Sequence, residues 1–415
     1  MKYNFDEIID RSNTYSFKRD CLPEGAPKDS LSFWVADMDF PCADPVIEAL
    51  HQRIDRKIYG YTAYDNQDVY EAVSGWFMRQ YGWKIEREEL SFSPGVVPAL
   101  AFLIRALTEP GDGIIIQRPV YYPFTIKIEN AGRRVVNNPL IHDGNTYRMD
   151  YIDLEEKLKN PQNKGIIICS PHNPVGRVWT EDELRQLVDL CKKYNKWIIS
   201  DEIHCDLTRK GVKHHPLLTV APDYKDQIIA CTAPSKTFNL AGMQISNIVI
   251  PNKEYKAKFD FLLDDCFGLM AAPLGISAMI AAYTHGEEWL DQVREYIDEN
   301  IAYVHDFLQK NMPEVTMSDT QGTYLIWLDF RAYCNDEKKL EKLMHESAKV
   351  ALDEGYIFGD EGKGFERINM ASPRSMIVEC MERIHKALKG HADKKCNLLN
   401  TEEKGRLVWK CLPAF

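Results

Sequence analysis

The sequence predicts an α/β protein, with a mainly parallel sheet covered by helices on both faces and a second, smaller α+β unit after it. Three observations carry this reading. Short, near-continuous apolar runs alternate with helical patterns through the middle of the chain, as expected for strands buried on both faces. The texture changes near Gly286, where a long amphipathic stretch begins. The length, 415 residues, is too great for one small domain.

Six runs read as strands: 113–118, 134–139, 165–170, 197–203, 228–232 and 247–251. Between them the clearest helix is expected over 180–195. Thr180 and Glu183 have capping-box spacing, and Leu184, Leu187, Val188 and Cys191 recur on one face. A second helix is expected over 96–109, directly after Ser93-Pro94-Gly95. Beyond Gly286 the pattern predicts one long helix over 287–311, an extended run at 322–330, a helix over 338–354 and a strand near 356–358. The expected division is therefore a large domain over 46–285 and a small one over 286–390. Residues 1–45 are expected to pack with the small domain, and the charged, irregular 391–415 to form a tail.

Composition narrows the function. A hydrophobic fraction of 45% and a charged fraction of 27% are ordinary for a globular protein. The net charge of −11, without any basic run, argues against nucleic acid as a partner. The polar N-terminus is unlike a signal peptide, and no apolar stretch approaches the ~20 residues of a membrane span. Eleven cysteines without paired C-x-x-C spacing read as reduced core residues of a cytoplasmic protein. The histidines are scattered, so no metal site is expected.

The chemistry collects where strands end. Ser93-Pro94-Gly95 opens a helix, PHNPVG (171–176) follows the run 165–170, Asp201 closes 197–200, and Lys236 follows 228–232. In a sheet of this kind, functional loops lie at the carboxyl ends of the strands. The four stretches can therefore meet along one edge. Together they suit a cofactor with an aldehyde, a phosphate and a pyridine ring. Lys236 supplies an amine for the aldehyde. Asp201 would hold the ring nitrogen protonated. An ion pair at ~4 Å in an effective dielectric of ~20 is worth roughly 4 kcal/mol, about three pKa units. Gly95, Val96 and Val97 offer helix N–H groups to the phosphate, and Tyr121 or Tyr122 offers a flat partner to the ring. Read singly, each has a plainer meaning: a surface lysine in a turn, a strand-end aspartate, core tyrosines. The set as a whole points to the cofactor.

SPHNPVG, SDEIH and SKTFNLAG together resemble the fold-type I pyridoxal-phosphate enzymes. Within these the chain is most similar to the C–S lyases of the cystathionine β-lyase (MalY/PatB, cystalysin-like) type. WVADMDF (34–40), YGYT (59–62), SPGVVPAL (93–100), RPVYYPF (118–124) and FERINMASP (365–373) extend the likeness over about residues 1–390. The resemblance implies a large domain with a mainly parallel seven-stranded sheet, pyridoxal 5′-phosphate as cofactor, an amino-acid substrate and a homodimer with shared active sites.

It also implies roles. Lys236 resembles the lysine that bonds the cofactor aldehyde, Asp201 the partner of the pyridine nitrogen, and Asn173 the donor to the 3-oxygen. Tyr121 resembles the ring-stacking aromatic, Gly95, Val96 and Val97 the phosphate-binding turn, and Ser235 a further phosphate ligand. Tyr61 resembles the tyrosine that reaches the neighbouring subunit's phosphate, and Arg367 the arginine that grips the substrate carboxylate. Ala36 and Tyr122 are assigned to the substrate side. Arg367 could instead pair with a structural carboxylate. Two positions depart from the aminotransferase pattern: Gln244 stands where an arginine is usual, and His204, assigned to the cofactor's surroundings, where a tyrosine is usual. The expected activity is α,β-elimination on a sulfur-containing L-amino acid, with Lys236, Tyr121 and Asp201 as catalytic residues. An aminotransferase is the alternative on the same fold, and a non-catalytic binding or regulatory protein the alternative from another class.

Overall fold

The apolar runs become the centre of a seven-stranded sheet in the computed structural model, which describes residues 2–334 and 336–402, with side chains up to residue 390. In chain order its strands are β1 (Leu90–Ser93), β2 (Gly113–Ile116), β3 (Arg134–Asn137), β4 (Asn163–Cys169), β5 (Trp197–Asp201), β6 (Ile228–Thr232) and β7 (Ser246–Val249). Their spatial order is β1-β7-β6-β5-β4-β2-β3. Only β7 runs against its neighbours, β1 and β6; the other pairs are parallel. Six strands thus point their carboxyl ends at one edge. Ile166, Ile167 and Ile168 of β4 are all fully buried, so both faces of the sheet are covered. Each such side chain contributes roughly 1.5–3 kcal/mol.

Six of these strands fall on expected runs, and β1 does not. Its sequence, LSFS, alternates polar and apolar residues; Ser91 and Ser93 are buried, and their hydroxyls donate to Asp260 at 2.6 Å and to the Gly95 carbonyl at 2.9 Å. Helix α1 (Val96–Leu107) follows β1 through Gly95. Helix α2 (Glu181–Lys193) has the capping box expected: Thr180 Oγ1 accepts from the Glu183 N–H at 3.2 Å, and Glu183 Oε2 accepts from the Thr180 N–H at 2.8 Å. Helix α3 (Glu287–Asn311) is the long one expected.

The smaller sheet contains β8 (Thr316–Met317), β9 (Leu325–Asp329), β10 (Asp353–Glu354) and β11 (Phe365–Asn369), ordered β8-β9-β11-β10 and antiparallel throughout. Two expectations fail here. The helix expected over 338–354 is α-helical only at Glu337–Lys342. It passes into a π-helical turn, Leu343–Ala348, and then into the short strands Val350–Ala351 and Asp353–Glu354. Sheet pairing with Leu31–Ser32 and with β11 outweighs the helical pattern. The strand expected near 356–358 is the 3₁₀ turn Gly355–Phe358. The expected irregular tail is partly helical as well, since the last helix runs Arg374–Glu402. The rest of that tail, 403–415, lies outside the described residues.

The N-terminal segment adds Leu31–Ser32 in parallel to Val350–Ala351. Phe5 packs on Trp289 and Tyr296 of α3, with ring centroids 6.0 and 5.6 Å apart. Among the described residues no helix is long and apolar enough to cross a membrane.

Candidate active site

Four strand ends deliver the expected groups to one cavity. It is lined by Gly95, Val96 and Val97 after β1, Asn173 after β4, Asp201 at the end of β5, and Ser235 and Lys236 after β6. Tyr121, His204, Gln244 and Ala36 complete the wall. Strand register sets Asp201 between Cys169 and Cys231.

Asp201 is 3% exposed. One of its oxygens accepts the Ile203 N–H at 3.2 Å, and among the described residues the carboxylate has no other hydrogen bond. Burial pushes it up from 3.8 to about 7, against the pull of that N–H and of Lys236. Lys236 is half-buried, with its amine inside the cavity wall. Nζ donates to the Ala36 carbonyl at 2.5 Å and to no carboxylate among the described residues. Burial lowers it from 10.5 to about 8; Asp37 and Asp201 oppose that shift and Arg367 adds to it.

The loop bearing Lys236 is tied down on both sides. Thr237 Oγ1 donates to Asp206 at 2.7 Å. Asn239, at φ 57°, donates its amide to the Met38 and Phe40 carbonyls, each at 3.1 Å. That partner stretch is itself anchored. Arg11 pairs with Asp37 at 2.7 Å and with Asp39 at 2.8 Å, while Lys18 pairs with Asp39 at 2.7 Å. Asn369 Nδ2 donates to the Val35 carbonyl at 2.8 Å.

Asn173 and Arg367 meet beside the cavity. Arg367 Nη1 donates to Asn173 Oδ1 at 3.0 Å, which fixes the amide and leaves Nδ2 as a free donor. Arg367 Nη2 donates to the Trp34 carbonyl at 2.7 Å and pairs with Asp353. Its Nε is buried and has no partner among the described residues. The guanidinium therefore has a structural carboxylate and still keeps an open donor.

The remaining expected residues fall in different places. Tyr121 is half-buried, its N–H donates to the Asn173 carbonyl at 3.1 Å, and burial raises its phenol. The Tyr122 ring packs on Phe358, with centroids 5.9 Å apart, rather than lining the cavity. Tyr61 is 95% exposed and outside its own chain's cavity. His204 stands edge-on to Tyr324, with Nδ1 unpartnered. Burial, then the charges of Lys236 and Arg367, pushes it well below 6.5, so the imidazole is neutral.

Three residues were not singled out from the sequence. Asp37 acts on the Lys236 amine, Tyr324 donates to the Ala36 carbonyl at 2.8 Å, and Asp353 pairs with Arg367. Asp37 lies inside WVADMDF and was within reach of that motif. The other two depend on contacts that no local pattern marks.

These groups fit pyridoxal 5′-phosphate. Helix α1 starts without a side-chain cap, so its first N–H groups are free for an anion. Asp201 has room for a cationic ring nitrogen, Lys236 has an amine near neutrality, and Asn173 Nδ2 is an unused donor.

Residues 28–384 match the family model described as aminotransferase class I and II. The chain is 41% identical over 388 residues to cystathionine β-lyase PatB of Bacillus subtilis (strain 168), covering 93% of this chain and 100% of that one. It is 34% identical to protein MalY of Escherichia coli (strain K12), covering 90% and 96%. Among solved structures, cystalysin of Treponema denticola, which contains a pyridoxal 5′-phosphate cofactor, superposes with a TM-score of 0.91 at 40% identity, covering 94% of this chain and 100% of that one.

Proposed function

Since the chain belongs to the aminotransferase class I and II family, with a cystathionine β-lyase as a full-length relative, we propose that it is a pyridoxal-phosphate-dependent C–S β-lyase. Its substrate is an L-amino acid with sulfur at Cβ, and its products are a thiol or sulfide, pyruvate and ammonia. The observation that carries the reading is the Lys236 amine, buried with only a carbonyl for a partner, in one cavity with Asp201.

The bound cofactor supplies a protonated ring that takes up the electron pair left when the substrate's Cα–H bond breaks. The protein's own groups do the rest. Asp201 accepts the ring N–H and keeps that nitrogen charged. The free N–H groups of α1, with Ser235 and Gln244, hold the phosphate. Arg367 Nε, the open donor of the guanidinium, takes the substrate carboxylate. Lys236, set near 8, takes the Cα proton as general base. The Cβ–S bond then breaks with its electrons leaving on sulfur, and Lys236 or Tyr121 returns a proton to the thiolate. The remaining enamine is hydrolysed to pyruvate and ammonia. Tyr61, idle in its own chain, serves the partner's phosphate in a homodimer. The nine described cysteines are all free, which suits a cytoplasmic enzyme.

The test is a survey of cystathionine, cystine and cysteine without added keto acid, scored for pyruvate and free thiol. Both products are expected. Turnover that requires a keto acid and releases no thiol would establish the aminotransferase instead.

A further inference from the structure

Behind Arg367 the small sheet carries a second charged cluster, on its other face. Asp353 and Arg367 are register partners, and so are Glu354 and Glu366. Neighbouring positions point to opposite faces, and directly opposed residues share one. Arg367 and Asp353 therefore face the cavity side, and Glu354 and Glu366 face away from it. His345 reaches that second face from the π-helical turn Leu343–Ala348, a geometry that re-aims side chains. Ligand atoms of Glu341, His345 and Glu354 lie within 4.8 Å of one another.

Two buried atoms in or beside this cluster have no hydrogen-bond partner among the described residues. His345 Nε2 is 3.1 Å from Glu354 Oε1, yet the approach is out of line for a hydrogen bond and Nε2 has no partner. Glu366, 1% exposed, has Oε2 unpartnered. At the rim, Lys338 and the Tyr356 hydroxyl donate to Glu341 Oε2 at 2.8 and 3.2 Å. A buried imidazole and half-buried carboxylates are stable together when a cation sits among them. One imidazole with several carboxylates suits zinc or manganese, whereas magnesium and calcium prefer oxygen alone.

We propose that Glu341, His345 and Glu354 bind one Zn²⁺ or Mn²⁺ ion at the back of the sheet that carries Arg367, with Glu366 beside them on the same face. The ion would clamp the π turn to β10, one residue from the Arg367–Asp353 pair. Its role is structural and holds whichever reaction the cavity performs.

The test uses the holoenzyme, stripped with chelator and titrated with Zn²⁺ or Mn²⁺, reading bound metal per chain and melting temperature. One ion per chain and a raised melting temperature are expected. Glu366→Gln keeps the shape and removes an unpartnered buried carboxyl. It should keep the cofactor's visible absorbance and melt no lower than wild type without metal. Its metal-induced rise should vanish, with affinity down by at least ~10-fold, the loss that even outer-shell changes bring. His345→Ala should behave likewise toward metal. The proposal is overturned by any of three results: no stoichiometric Zn²⁺ or Mn²⁺ at micromolar concentration, binding of Mg²⁺ or Ca²⁺ alone, or unchanged affinity in both variants.

Discussion

Two lysines hang from one short stretch of chain, and they are treated in opposite ways. Lys18, 2% exposed, donates to the Asp37 carbonyl at 3.2 Å and pairs with Asp39 at 2.7 Å. Lys236 donates only to the Ala36 carbonyl and has its carboxylates at a distance. Burial of a cation costs the same kind of free energy in both places. At Lys18 carboxylate neighbours offset it and the lysine is structural. At Lys236 the cost is left standing, and the amine drops toward neutrality, where it can react. A reactive lysine is thus recognisable by the partner it lacks.

The largest break in this contrast is Lys236→Met. Pyruvate release should fall by roughly 10³–10⁴-fold or more, since the general base itself is removed, and the visible absorbance of bound cofactor should be lost. Stability of the cofactor-free protein at pH 7 should hold or rise, because an uncompensated charge has gone. Asp201→Asn comes next. Losing an ion pair of roughly 4 kcal/mol to the ring should lower kcat by about 10³-fold; an unchanged kcat would remove Asp201 from the mechanism. Lys18→Met reverses the pattern of Lys236→Met. It leaves the buried Asp39 with Arg11 as its one cation, beside the Ser372 hydroxyl, and should cost about 3–5 kcal/mol in urea unfolding, with kcat of the folded fraction little changed.

Titration sharpens the comparison. Asp201 sits at 3.8 unfolded and about 7 folded, so the folded cofactor-free protein holds the extra proton between those values. Stability falls as pH rises through that window. Lys236 sits at 10.5 unfolded and about 8 folded, so there the unfolded chain holds the extra proton and stability rises again. The melting temperature of the cofactor-free protein should pass through a minimum between about pH 7 and 8. Asp201→Asn should flatten the acid limb and Lys236→Met the alkaline one. The smallest effect is expected far from either lysine: Thr180→Ala, which opens the capping box of α2, should cost ~1 kcal/mol and leave kcat unchanged.

Much of this frame is legible in the chain itself. Short runs rich in isoleucine or valine mark six strands of the large sheet, and the spacing of Thr180, Glu183 and Leu184 marks α2. β1 was hidden because two buried serines, Ser91 and Ser93, interrupt its apolar run, their hydroxyls satisfied by Asp260 and the Gly95 carbonyl. Residues 338–354 read as one helix because their pattern is helical, and only pairing with Leu31–Ser32 and β11 pulls their end into strands. In the cavity, Lys236, Asp201 and Asn173 stood out because each lies at or just after the end of an apolar run, and the Gly95 turn because it opens a helix. Asp353, Tyr324 and the His345–Glu354–Glu366 cluster did not, since their partners come from other elements.

What the sequence determined by itself is the set of strands and helices and the order in which reactive residues are delivered to strand ends. Both depend on periodicity and on neighbours a few positions away. Tertiary structure alone decided which charges are paired. The Ala36 carbonyl meets an amine two hundred residues later in the chain, and Asp353 is set against Arg367 by strand register. Burial, a property of the packed whole, then moves Asp201 upward and Lys236 downward toward the same neutral range.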